Sequence, residues 1–244
     1  SNLARKATRV RVFEAGRVFR RDPAVIDGPD SVAGVDQPVR IAGLAYGMAE
    51  PLQWSAKERA VDFYDVKGDV EALCGPSAVA FVAAPHPALH PGRSARVEVG
   101  GHAVGFVGEL HPEWRLAYEL PSAPIVFELD VAGLQARELP VYAPLPRQQS
   151  AWRDIAVIAC DAVTHEALME SIGAIPGGLV RSARLFDIYK PDKPVAEIGA
   201  GERSLAIRLE IRADDATLTD ERIDVVVADV LAALRQRLGL RLRS

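Results

Sequence analysis

Arg153-Asp154-Ile155-Ala156-Val157-Ile158-Ala159, Arg184-Leu185-Phe186-Asp187-Ile188-Tyr189 and Ser204-Leu205-Ala206-Ile207-Arg208-Leu209-Glu210-Ile211 are three runs in which apolar residues recur at every second position. Side chains of a strand point to opposite faces with period two, so each run reads as a half-buried strand. Leu205, Ile207, Leu209 and Ile211 form one side of the third run, and Ile155, Val157 and Ala159 one side of the first. In the second run Phe186 and Ile188 are expected to point the same way. The opposite face then collects Asp154, Ala156 and Ile158, Asp187 and Tyr189, and Ser204, Ala206, Arg208 and Glu210.

Two helical stretches separate these strands. One spans Thr164 to Gly173; the other spans Thr219 to Leu238, and a short strand, Leu240 to Arg243, follows it. Thr219 suits the N-cap, Asp220 and Glu221 sit at the positive end of the helix dipole, and Gly239 suits the stop. Ile223, Val226, Val227, Val230, Leu231, Leu234 and Leu238 form its apolar stripe. The order strand–helix–strand–strand–helix–strand fits the split βαβ, ferredoxin-like motif, with both helices on one face of the sheet. The other face is open. Tyr189 there can stack on a base, Asp187 can accept from a base edge, and Ala156 leaves room for a ring, which is how single-stranded RNA is read on such surfaces. Ordinary polar cover of a solvated antiparallel face accounts for the same alternation.

At 244 residues the chain holds one large or two ordinary domains, and 49% hydrophobic with 25% charged residues is a globular composition. The longest apolar runs, such as Ala78 to Ala84, are too short to span a bilayer, and no secretory signal is visible at the N-terminus. The first residue is Ser1 rather than Met, as expected of a fragment or processed product. Cys74 and Cys160 lack CxxC spacing, which suits a reducing cytosol, and core packing is their expected role. Net charge is −4. From residue 147 onward 14 Lys and Arg face 15 Asp and Glu, so no strongly basic half exists, and an RNA partner must draw much of its phosphate anchoring from a larger assembly.

Leu139-Pro140-Val141-Tyr142-Ala143-Pro144-Leu145-Pro146 carries three prolines, which forbid helix and resist strand pairing. It divides the chain into a first domain at 1–140, a linker at 141–146 and a second domain at 147–244. The first domain reads as an α+β antiparallel sheet with helices on one side. Val10 to Arg20 is expected to be a hairpin turning at Ala15-Gly16, Val39 to Met48 a strand, and Phe63 to Leu73 a helix burying Phe63, Val66, Val70 and Leu73. Ala95 to Glu109 reads as a hairpin turning at Gly100-Gly101, Pro112 to Glu119 as a helix with Pro112 in its first turn, and Ile125 to Val131 as a strand.

Several blocks give the chain a family likeness: Val12-Phe13-Glu14-Ala15-Gly16-Arg17-Val18-Phe19, Phe63-Tyr64-Asp65-Val66-Lys67-Gly68, Gly105-Phe106-Val107-Gly108-Glu109-Leu110-His111-Pro112, Arg153-Asp154-Ile155-Ala156 and Leu185-Phe186-Asp187-Ile188-Tyr189. In this order and spacing they resemble the C-terminal part of bacterial phenylalanyl-tRNA synthetase β subunits over essentially the whole chain. The resemblance implies the later half of a class II synthetase-like domain, followed by a ferredoxin-fold anticodon-binding domain. It implies that Ala156, Asp187, Tyr189 and Ser204 approach the first anticodon base, on the face where alternation also puts Arg208. It further implies a catalytic α subunit and tRNA as partners, a cytoplasmic heterotetramer of two α and two β subunits, and ATP and Mg bound outside this piece. Active relatives hold ATP with a segment of the type Phe-Gly-Leu-Gly-x-x-Arg-Leu. The matching run here is Phe127-Glu128-Leu129-Asp130-Val131-Ala132-Gly133-Leu134, where acids replace both glycines and glycine replaces the arginine. Carboxylates repel triphosphate and no guanidinium remains to grip it, so the first domain is expected to be catalytically silent. The family's editing and magnesium-binding modules precede this stretch in the β subunit.

Other candidates read as structural. His86 and His90 are four apart, but Pro85, Pro87 and Pro91 oppose the helix that would put them on one face. His111 before Pro112 suits a helix start, Asp214-Asp215 a turn, and Glu14 a structural strand position. Two further functional classes stay open: an amino-acid-binding regulatory module, although Cys160-Asp161-Ala162-Val163-Thr164 lacks the glycine-rich ligand loop it calls for, and an assembly scaffold that buries the open sheet on another protein.

Overall fold

Strand β1, Arg9–Arg17, runs unbroken through Ala15 and Gly16 and pairs residue for residue with β4, Val39–Gly47, so the expected hairpin at Ala15-Gly16 does not form. Gly16 sits opposite Arg40 in an ordinary ladder, and its neighbour strand lies beyond a connection that holds the two-residue strands β2, Arg20–Arg21, and β3, Val35–Asp36. The computed structural model describes residues 7–29, 31–135, 142, 145, 147–193 and 195–243. Most of the proline-rich linker at 141–146 lies outside the described residues. The chain divides into two compact units, Ser1–Val141 and Tyr142–Ser244.

The first unit continues with helix α1, Phe63–Cys74, strands β5, Val79–Ala83, β6, Leu89–Val99, and β7, His102–Leu110, helix α2, Pro112–Ala117, strand β8, Ile125–Asp130, and helix α3, Val131–Gln135. Six strands form one antiparallel sheet in the order β1-β4-β8-β7-β6-β5. Strand β5 comes from the apolar stretch around Ala78 to Ala84, whose length is right for an edge strand. Asp62 caps α1 by accepting from the Tyr64 and Asp65 amides, and Asp65 reaches back to the Asp62 amide, which satisfies three otherwise orphaned donors. Val66 and Val70 of α1 pack against Ala45, Val97, Val107, Ile125 and Leu129 of the sheet, with Phe63 and Leu73 at the margin. Gly100 and Gly101 both have positive φ, +58° and +77°, and make the β6–β7 turn that a side chain would strain.

The second unit consists of β9, Ala151–Cys160, α4, His165–Gly173, β10, Val180–Tyr189, β11, Glu202–Ile211, α5, Asp220–Leu238, and β12, Arg241–Leu242. Its antiparallel sheet has the order β10-β11-β9-β12, the arrangement of a split βαβ fold. Thr164 and Thr219 cap the two helices through their hydroxyls, and Gly239 closes α5 in the left-handed conformation. Leu168 and Ile172 of α4 and Ile223, Val226, Val230 and Leu234 of α5 meet Ile155, Val157, Ala159, Leu205, Ile207, Leu209 and Ile211 in one core. Both helices therefore cover one face of the sheet. Among the described residues no helix is long and apolar enough to cross a membrane.

Candidate nucleic-acid interface

Register arranges the uncovered face of the second unit in rows. Arg184, Arg208 and Asp154 are cross-strand neighbours in one row, Asp187, Ala206 and Ala156 in the next, three positions further along β10, and Tyr189, Ser204, Ile158 and Arg241 in the last. A β-bulge lies between Leu185 and Asp187, so Phe186 has no partner on β11. Leu185 aligns with buried Ile207 on the helix side, whereas Phe186 swings out, is 49% exposed and lies against Arg208 with 5.3 Å between the guanidinium carbon and the ring centroid. The alternation that put Phe186 inward is corrected by that one extra residue. Ile188 does align with Leu205 on the helix side, but it sits on the edge strand and stays 51% exposed.

Asp187 and Tyr189 both face outward, Tyr189 at 44% exposure. Among the described residues the Asp187 carboxylate accepts no hydrogen bond and joins no ion pair, so an acceptor stands free beside the shallow strip formed by Ala206 and Ala156. Asp154, by contrast, is held by two hydrogen bonds from Arg208, 2.8 Å from Nε and 2.7 Å from Nη2, and this pairing keeps its carboxyl below the usual range. Arg208 is thus already engaged by Asp154 and Phe186, with Nη1 left to offer.

Ser204 is on the expected face but is buried, and its hydroxyl accepts from Arg243 Nη1 at 3.3 Å. The Arg243 guanidinium carbon also stands 5.3 Å from the Tyr189 ring centroid, so this one side chain spans from the C-terminal strand across β9 and β11 to β10. Ile158, expected to be open, is 2% exposed. The segment between β10 and β11 is fastened near it: Arg241 forms paired hydrogen bonds with the Glu202 carboxylate at 2.6 and 2.7 Å and donates to the Glu197 carbonyl at 2.6 Å. Glu202, held by Arg241 and by the Gly199 amide, has its pKa lowered to about 2. Alternation could not find Arg243 or Phe186, because one lies in the last few residues of the chain and the other changes face at a bulge.

In the first unit, Glu128 and Asp130 lie on the sheet face opposite α1, with Arg40 Nη1 3.9 Å from Glu128 and Nη2 3.7 Å from Asp130. Two carboxylates surround the one guanidinium, so these residues do not fit a triphosphate. Gly133 approaches the sheet closely, where a Cβ would meet Val104 Cγ1 at 2.6 Å. His86 lies in the connection before β6 and His90 in β6 itself: His86 Nδ1 accepts from the Ala88 amide, and His90 Nδ1 from the Gly92 amide. His111 caps α2 by accepting from the Glu113 amide.

Residues 1–131 match the family described as phenylalanyl tRNA synthetase beta chain CLM domain, and residues 146–243 match the ferredoxin-fold anticodon binding domain. The chain belongs to the phenylalanyl-tRNA synthetase β-chain family. It is 46% identical to the phenylalanine–tRNA ligase beta subunit of Ralstonia nicotianae, over all of this chain and 31% of that protein. Identity is 45% to the beta subunit of Cupriavidus pinatubonensis over 30% of that protein, and 44% to that of Burkholderia pseudomallei over 31%, again across the whole of this chain. The chain therefore spans about a third of the length of the curated relatives it matches.

Proposed function

We propose that this chain is a non-catalytic part of a phenylalanine–tRNA ligase β subunit, and that its second unit reads the tRNA anticodon. Ala156, Asp187 and Tyr189 receive the first anticodon base, with Asp187 accepting from its polar edge and Tyr189 stacking on or bordering the ring. Ser204 acts through Arg243, which it helps to hold over Tyr189. Arg208 stays with Asp154 and steadies the neighbouring surface. The first unit packs on a catalytic α subunit in a cytoplasmic assembly of two α and two β subunits. ATP and Mg bind outside this piece, in keeping with the acids at Glu128 and Asp130.

The observation that carries this reading is the free Asp187 carboxylate beside the Ala206–Ala156 strip, with Tyr189 one row away. The small alanine side chains beside the exposed carboxylate leave room for a ring against the sheet. In the assembled enzyme Tyr189→Ala is expected to raise KM for tRNA about tenfold, the ordinary worth of a base–aromatic contact. Phenylalanine-dependent ATP–pyrophosphate exchange, measured without tRNA, reports on the α-subunit chemistry separately. Unchanged aminoacylation at limiting tRNA for both Tyr189→Ala and Asp187→Asn removes the anticodon reading.

A further inference from the structure

Phe186 is turned onto the open face by the bulge, and the company it keeps there is incomplete. Arg208 lies against its ring, and Asp154 neutralises Arg208 through two hydrogen bonds. Arg184 is the direct cross-strand neighbour of Arg208. Among the described residues no carboxylate stands within ion-pair distance of Arg184. Like charges directly opposite one another on a strand pair are unfavourable unless a counter-charge joins them. One carboxylate serves two guanidiniums in this row, so Arg184 is left without an ion-pair partner beside a half-exposed aromatic ring, with the free Asp187 carboxylate in the next row. An anion fused to a flat ring supplies both missing partners at once, and a nucleotide is such a group.

We propose that Phe186 and Arg184 form a second nucleotide seat, for an anticodon-loop nucleotide next to the one received at Asp187 and Tyr189. This rests on the anticodon reading above. Phe186 offers its free π face to a base, and Arg184 takes the phosphate. Arg208, already gripped by Asp154, lies over one face of the Phe186 ring and leaves the other to the base. Phe186 and Tyr189 lie three residues apart, about 10 Å along the strand, so one base does not cover both rings. The seat also answers the charge question that the sequence raises. The unit carries no net positive charge, yet one unpaired guanidinium is set where a phosphodiester would run along β10. The strand–strand bulge thus makes a two-base reader from a strand whose simple alternation would expose only one ring.

The test uses the full αβ enzyme with intact tRNA and with transcripts made abasic at single anticodon-loop positions. Phe186→Leu keeps an apolar side chain and removes the π face. It is expected to raise KM for intact tRNA about tenfold at unchanged kcat. Phe186→Tyr restores it, which also covers the case of a leucine variant that folds poorly. The Phe186→Leu effect is expected to vanish on one abasic transcript, at a position beside the first anticodon base. Arg184→Gln is expected to weaken binding and to lower the slope of log Kd against log salt by about one. An equal Phe186→Leu penalty on every abasic transcript, or no penalty on intact tRNA, overturns the second seat. Tyr189→Ala separates the two readings. If it weakens tRNA binding while Phe186→Leu does not, the second seat alone falls; if neither of these variants nor Asp187→Asn weakens binding, the anticodon reading falls with it.

Discussion

At the scale of single residues, the open face of the second unit depends on a few guanidiniums with different duties. Arg208 secures Asp154 and Phe186, Arg243 covers Ser204 and borders Tyr189, and Arg241 ties Glu202 and the Glu197 carbonyl together. The Glu202 clamp predicts a pH dependence. Its carboxylate has a pKa of about 2 in the folded protein because Arg241 and the Gly199 amide favour the charged form. An unfolded glutamate titrates near 4.3. A depressed folded pKa means the unfolded chain binds the proton first, so the stabilisation is fully present above about pH 4 and drains away as pH falls toward 2. Asp65, lowered to about 2 by Arg59, and Asp154, lowered by Arg208, act in the same direction and the same range. Glu202→Gln is expected to lower the thermal midpoint of the second unit at pH 7 and to make its acid sensitivity shallower between pH 4 and pH 2. An acid titration of thermal unfolding that runs parallel to the wild type over that range would refute the clamp.

At the scale of elements, close backbone approach decides more than side-chain chemistry. Gly105 in β7 faces β8 so tightly that a Cβ would stand 2.0 Å from the Glu128 carbonyl oxygen and 2.8 Å from the Leu129 Cα. Backbone cannot yield as a flexible side chain can, so Gly105→Ala is expected to cost about 1–3 kcal/mol, read as a lower denaturation midpoint of the first unit at unchanged slope. A midpoint equal to the wild type would show that the strands separate there without cost. The same contrast between local and non-local forces explains which elements the sequence discloses. Helix α5 is plain in the chain because its cap, its stripe and its closing Gly239 all lie within twenty-odd residues. The helix-side core residues of β9 and β11 are plain too, since period two holds through both strands. Across the bulge in β10 that period slips by one residue, and no glycine or proline marks the place, so Phe186 reads as buried until its partner strand is seen. Ala15-Gly16 looks like a turn locally, yet β4 pairs straight across it. Ser204 looks open, yet a residue 39 positions away covers it.

At the scale of the whole molecule, the two apolar cores share no residue. The buried members of one run from Ala45 to Leu129, those of the other from Ile155 to Leu240. Each helix in the second unit finds its sheet within the unit, and the two helices meet each other over that sheet, so the residues that drive its folding all lie after the proline-rich stretch. We therefore expect the cores to melt separately. Ile207 of β11 is fully buried under α4 and α5, and Ile207→Ala removes three carbons from a packed interior, a loss of about 2–5 kcal/mol. Val70 of α1 is equally buried in the other core, where Val70→Ala removes two carbons and leaves a smaller cavity. Scanning calorimetry should resolve two transitions, with Ile207→Ala lowering one and leaving the other in place, and Val70→Ala doing the reverse. For a unit of this size, each kcal/mol lost shifts its midpoint by roughly 4–8 °C, so the two shifts are separable in a single scan. One merged transition that moves with either substitution would mean that the cores stabilise each other, and that the open sheet face of the second unit is energetically coupled to the sheet of the first.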